Sequence, residues 1–174
     1  MRKVDVDWLD VELAFRDTTA TESFLDQRSG EVFSVVPGFP DEAELRGLIA
    51  REAMHFVRLT PVDTAFARDV MRRFVERMPA DTLQRRLVAL QRKTGAYTRC
   101  LALLKQDAGL YASFHRFEQS LFWDHVESYL AEVGIEPVSR PPGVELFEDS
   151  LASVSGSKAR FTGGALKPSS PAKP

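Results

Sequence analysis

The chain has 174 residues, a hydrophobic fraction of 44%, one cysteine and a formal net charge of -2. That length supports a core without disulfide or metal staples, and the lone Cys100 excludes an internal disulfide and suits a reducing compartment. No apolar run nears the ~18 residues of a membrane helix, the acidic start at Asp5 and Asp7 does not read as a signal peptide, and the bulk charge does not suggest a dedicated polyanion binder.

Val4 to Arg16 reads as an amphipathic helix capped by Asp5, with Trp8, Leu9, Val11, Glu12 and Phe15 at helical spacing. Thr18 to Thr21 breaks it. Residues 23–26 and 31–36 then flank a turn in which Gly30 can adopt positive φ, which predicts a hairpin. Pro37 to Pro40 is a breaker cluster. Asp41 with Glu44 has the spacing of a capping box, followed by a short helix to about Ala53. His55 to Leu59 alternates and stops before Pro61, which predicts a third strand.

Thr60-Pro61-Val62-Asp63 reads as a second capping box with proline at the first helical position. Helices are expected at Thr64–Met78, from Asp81 to about Lys93, at Ala96–Gln106 and at Leu110–Val133, with Gly134 as the residue after the last. Ile135 to Pro142 reads as an extended exit. Residues 151–174 carry four bases, no acid and three of the ten glycines, a composition that cannot offset ordering entropy, so residues 143–174 are expected to be a disordered basic tail. The predicted architecture is α+β in one domain over 1–142. A small three-stranded antiparallel sheet with two helices (1–60) precedes a four-helix half (61–142).

Certain residues in this order are familiar. They are Val6-Asp7-Trp8-Leu9-Asp10 with Ala14-Phe15, Leu25-Asp26, Ser29-Gly30-Glu31-Val32 and Arg58-Leu59. Further on stand Gly95-Ala96-Tyr97-Thr98-Arg99, Phe114, Phe117-Glu118, Tyr129-Leu130 and Gly134-Ile135. Over roughly residues 4–137 the chain resembles the bacterial family known as uncharacterised protein family 0158. It departs from that family at Cys100, where an aromatic is usual, and at Gln119-Ser120, where an arginine is frequent. The resemblance implies the element order and a bacterial cytoplasmic setting, and supplies no activity or catalytic residue.

Four constellations could carry chemistry. On the last helix Phe114, Phe117, Leu121, Phe122 and Tyr129 share a broad face with Glu118 and His125, and His115 is one turn before Glu118. Carboxylate and imidazole together suit acid–base or metal chemistry. Yet His115 and His125 are separated by ~15 Å of rise, and no HExxH or cysteine cluster is present. The simpler expectation is a partly buried Glu118 paired with Arg99. Cys100 sits among Leu101, Leu103 and Leu104 and reads as a small hydrophobe. Gly163-Gly164 lacks the strand–helix context of a phosphate loop.

The fourth constellation is charge distribution. Residues 1–52 hold six bases and twelve acids, residues 64–106 ten bases and three acids, and residues 107–150 two bases and nine acids. The middle block is mostly arginine, which suits bidentate contacts to carboxylate or phosphate. Arg72, Arg73 and Arg77 fall on one helix and Arg85, Arg86, Arg92 and Lys93 on the next. Either these bases neutralise the flanking acids within the fold, or they face an external anionic partner. The expectation is a non-catalytic protein-binding or regulatory module, using this surface and the acidic N-terminal helix. The alternative is a nucleic-acid-associated protein using the arginines and the basic tail. A hydrolase or metal enzyme built on Glu118 and the histidines is third. No cofactor, metal or membrane partner is expected.

Overall fold

A computed structural model describes residues 1–142. The segment 143–174, expected to be a disordered tail, lies outside the described residues, and Gly163-Gly164 with it. The elements in chain order are β1 (Arg2–Val4), α1 (Trp8–Arg16), β2 (Glu22–Asp26), β3 (Val32–Val35), α2 (Glu42–Arg51), a 3₁₀ turn (Ala53–His55) and β4 (Phe56–Leu59). They continue with α3 (Thr64–Arg77), α4 (Thr82–Gln91), α5 (Ala96–Leu104), α6 (Ala108–Glu132) and β5 (Ile135–Pro137). The architecture is the expected one: an antiparallel three-stranded sheet, ordered β3-β2-β4, near the N-terminus and a helical half after it.

The first helix begins later than its apolar spacing suggested. Val4 and Val6 are buried while Asp5 and Asp7 are exposed, a strand alternation. Arg2–Val4 pairs in parallel with Ile135–Pro137, Val4 opposite Pro137. The helix therefore starts at Trp8, and its N-cap is Asp7 rather than Asp5. One Asp7 carboxylate oxygen accepts from the Leu9 and Asp10 N–H groups at 2.9 and 3.3 Å. The exit after Gly134 is likewise a strand, and the Trp8 indole donates to Ser139 Oγ at 3.0 Å beyond it.

In the larger sheet Phe24 lies opposite Phe33 on one side and Arg58 on the other. Gly30 closes the hairpin with φ 81°. Its missing side chain also matters, because a Cβ there would collide with the Asp5 carbonyl oxygen. Asp26, buried in the same turn, accepts from the Arg28 backbone N–H and guanidinium, each at 2.8 Å. That guanidinium also reaches Glu52 at 2.7 Å. The hydrogen bond from Arg28 holds the Asp26 carboxyl below the usual carboxylate range, against the opposing effect of burial.

Neither expected capping box forms. The Asp41 side chain makes no cap bond, and its backbone is already helical. Glu42 instead accepts from the Gly38 N–H at 2.7 Å, satisfying a donor in the preceding turn. At α3 the N-cap is Asp63, which accepts from the Phe66 N–H at 2.9 Å. Thr60 and Pro61 stay outside the helix because the Val62 N–H is bonded to the Phe15 carbonyl at 2.9 Å, tying this segment to α1. Asp81 caps α4 as expected, accepting from Gln84 at 2.8 Å. Asp107 caps α6, which starts at Ala108, two residues before the expected Leu110, and Gly134 follows its end with φ 82°.

The apolar interior forms two clusters. One gathers Val4, Val6, Trp8, Val11, Phe15, Leu25, Leu59 and Ile135 with Phe122, Trp123, Val126 and Leu130 of α6. The other gathers Val70, Met71, Phe74 and Val75 of α3, Leu87 of α4, Cys100, Leu103 and Leu104 of α5, and Phe114 of α6. Helix α6 thus serves both, and the single apolar face expected for it becomes two. Phe114 and Val126 project about 120° apart around the axis. Phe117, Leu121 and Tyr129 are only partly buried, whereas Trp123, Val126 and Leu130 are fully inside. Trp8 and Phe122 both meet Trp123 edge-on, at centroid distances of 5.6 and 5.0 Å. The Tyr129 hydroxyl donates to the Arg58 carbonyl, fixing α6 to β4.

Gly30 and Gly38 share a φ of 81°, but only at Gly30 would a Cβ meet other atoms. Gly38→Ala should cost about 1 kcal/mol for the left-handed backbone alone. Gly30→Ala should lose at least ~2 kcal/mol, because the Asp5 segment must also shift. Urea midpoints of the two variants check the difference.

Candidate functional site

The packing of α3, α4 and α5 dictates where the bases go. Burial of Val70, Met71, Phe74 and Val75 turns Arg68, Arg72, Arg73 and Arg77 away from the core on α3. Leu87 and the Cys100, Leu103, Leu104 trio do the same for α4 and α5. All ten bases of residues 64–106 are exposed.

Their partners are local. Arg72 reaches Asp69 at 2.5 Å and Glu76 at 2.8 Å, and Arg73 reaches Asp69 at 2.7 Å. These arginines hold the Asp69 carboxyl below its ordinary range, chiefly through the Arg72 hydrogen bond. Arg68 and Arg85 donate to backbone carbonyls of their own helices at 3.1 and 3.2 Å. The Arg77 guanidinium stacks over Phe117 at 4.7 Å and the Lys105 ammonium over Tyr111 at 5.5 Å. Arg86, Arg92, Lys93 and Arg99 make no ion pair among the described residues. Nor, among those residues, does any ion pair join a base of 64–106 to an acid outside that block. Neutralisation of the basic block by direct pairing with flanking acids is therefore not how this fold is built.

Within this face α3, α4 and α5 leave an open cleft of about 220 Å³, lined by Arg68, Met71, Arg72, Gln91, Ala96 and Tyr97. Gln91 ties α4 to α3 by donating to the Met71 carbonyl at 3.4 Å. Burial and the neighbouring Glu118 carboxylate both raise the Tyr97 phenol, burial more. The charge block pointed to the arginines. It could not point to Met71, Gln91 and Tyr97, whose meeting depends on how three helices pack.

Glu118 does not pair with Arg99. It contacts His115 Nδ1 at 3.4 Å, and His115 Nε2 lies 3.0 Å from the Tyr111 hydroxyl. On α5 it is Tyr97 that stands beside Glu118, because inward packing of Cys100, Leu103 and Leu104 leaves Arg99 facing out. His125 is exposed and packs on Phe66 and Phe15 at centroid distances of 5.3 and 6.2 Å. No group of three or more His, Cys, Asp or Glu side chains among the described residues is arranged to hold a metal ion. No helix among them is long and apolar enough to cross a membrane.

The acidic N-terminal helix presents a different face. Trp8, Val11, Ala14 and Phe15 point inward. Leu9, expected on the apolar side, is 65% exposed, and Leu13 one turn later is 59% exposed. Asp5, Asp7 and Asp10 near them make no ion pair among the described residues.

A comparison with family models, one with curated proteins and one with solved structures each find no match for this chain.

Cys100 is fully buried, its thiol donates to the Leu87 carbonyl at 3.7 Å, and burial pushes the thiol pKa up. A thiol so placed is a poor nucleophile. In native buffer Cys100 should resist a maleimide or disulfide reagent, and in ~6 M urea it should react at the rate of a free thiol. Stopped labelling followed by mass measurement checks both arms. Rapid labelling of the folded protein would show an accessible thiol.

Proposed function

We propose that this chain is a non-catalytic binding module whose α3–α5 face receives an acidic segment of a protein partner. The observation that carries this reading is the set of exposed arginines and lysines that make no ion pair among the described residues. Unpaired surface charge of one sign raises the local concentration of oppositely charged partners and steers their approach.

The cleft favours a protein over a nucleic acid. Met71, Ala96 and Tyr97 give it apolar lining beside Arg68. That combination accepts an apolar side chain flanked by carboxylates, the anchor-and-rim arrangement of protein interfaces. Single-strand nucleic-acid surfaces rely on exposed aromatics for base stacking. The aromatics of α3 are committed elsewhere: Phe74 is 8% exposed and packs on Phe114, and Phe66 packs against both clusters. A bacterial cytoplasmic setting belongs to the same proposal, and so does membership of uncharacterised protein family 0158. Both are supported by the sequence features already described.

The test is fluorescence anisotropy with two labelled probes at ~50 mM salt. One is a glutamate-rich peptide carrying leucines; the other is a DNA duplex of about two turns. The peptide should bind, and a variant with Arg86, Arg92 and Lys93 all changed to Gln should bind it about tenfold more weakly, a loss near 1.4 kcal/mol. Absence of peptide binding overturns the proposal. So does tighter binding of the duplex with a steep salt slope, which would establish the nucleic-acid alternative.

A further inference from the structure

We propose that the partner is a second copy of this chain, whose α1 helix lays Leu9 and Leu13 into the arginine-flanked cleft between α3, α4 and α5. This rests on the reading that the α3–α5 face binds an acidic segment, and it names that segment.

The chemistry of the two surfaces is complementary. The cleft offers Met71 and Tyr97 as apolar lining and Arg68 as an exposed base without an ion pair among the described residues. Arg92 and Arg99, next along the chain from the lining residues Gln91 and on the turn after Ala96, are exposed and also lack ion pairs among the described residues. What fits such a site is a helix with an apolar ridge beside carboxylates. Helix α1 is one. Leu9 and Leu13 are four residues apart and therefore share a face, and they are the most exposed leucines among the large exposed hydrophobics. Asp5, Asp7 and Asp10 surround the N-terminal end of that ridge, and their charge is not cancelled by ion pairs among the described residues.

A chain cannot make this contact with itself. Trp8, Val11 and Phe15 hold α1 in the cluster built on β1, β5 and the C-terminal half of α6, whereas the cleft belongs to the α3–α5 cluster. Each copy carries one ridge and one cleft, so the contact is head-to-tail. It extends into short chains or closes into a ring, according to the rotation between copies. The charged rim makes association sensitive to salt, since screening shortens the reach of these charges from ~30 Å at 0.01 M to ~3 Å at 1 M.

Sedimentation velocity on the full chain tests this directly. At ~0.01 M salt the weight-average mass should rise with concentration above the 19.5 kDa monomer, and at ~1 M salt it should fall back to the monomer. Leu13→Lys and Arg68→Glu alter exposed side chains, so both variants should keep the wild-type circular dichroism spectrum and melting temperature. Each alone should be monomeric at low salt. An equimolar mixture of the two should form a 1:1 dimer, because each variant retains the surface the other lacks. Wild-type protein that stays monomeric at low salt overturns the proposal. Variants that associate like wild type, or a mixture that stays monomeric, overturn it as well. The glutamate-rich peptide run in parallel separates the two readings. If wild-type protein stays monomeric at low salt yet binds the peptide, self-docking fails and the anionic-partner face stands; if it stays monomeric and does not bind the peptide, both fail.

Discussion

One helix has to satisfy two cores. Helix α6 contributes Phe114 to the cluster of α3, α4 and α5, and Phe122, Trp123, Val126 and Leu130 to the cluster of α1, the terminal strands and the sheet. Each of those side chains is worth about 1.5–3 kcal/mol when fully buried. Turning α6 to improve one contact set would expose the other. The Trp123 indole N–H finds no acceptor among the described residues, while its large ring packs against Trp8 and Phe122. The Tyr129 bond to Arg58 and the Arg16 guanidinium, 4.1 Å above Phe122, pin the same helix to β4 and α1.

The charge distribution follows from that division. Helices α3 to α5 spend their apolar sides on one cluster, so their bases face water. An unpaired arginine would cost several kcal/mol to desolvate, and its long stem can lie along apolar surface while the head stays wet. Arg77 over Phe117 shows this arrangement. The acids of residues 1–52 lie on elements of the other cluster and its sheet, and those that form ion pairs do so with bases of their own neighbourhood: Glu12 with Arg16, Asp26 and Glu52 with Arg28, Glu22 and Glu42 with Arg46. The segregation seen along the chain is therefore preserved in space rather than cancelled by direct pairing among the described residues.

Local signals were legible before folding; signals that depend on distant partners were not. Gly30 and Gly134 follow from turn and helix-end chemistry, and Asp81 from its place before an apolar period. Asp7 displaced Asp5 because Val4 belongs to a parallel strand whose partner is some 130 residues away. No local pattern announces such a pairing beyond the short Val4/Val6 alternation. The spacing along α6 suggests one apolar face where the fold uses two, because a helix serving two cores has no single stripe. Charge alone matches Arg99 to Glu118, whereas side-chain direction on α5 gives that place to Tyr97. The basic block itself was visible in the sequence. Whether it met the protein's own acids could not be, since composition carries no direction.

Arg86, Arg92 and Lys93 make no ion pair among the described residues, and the stability of the monomeric protein tests directly whether they stand free of the protein's own acids. Arg86, Arg92 and Lys93 can be changed together to Gln and the urea midpoint measured at ~0.01 M salt, where charge effects reach furthest, and at a protein concentration low enough for the chain to be monomeric. Unpaired bases crowded by like charges contribute nothing favourable, so the midpoint should stay unchanged or rise. A loss of more than ~1 kcal/mol, removed again by high salt, would mean that these side chains are held by the protein's own acids.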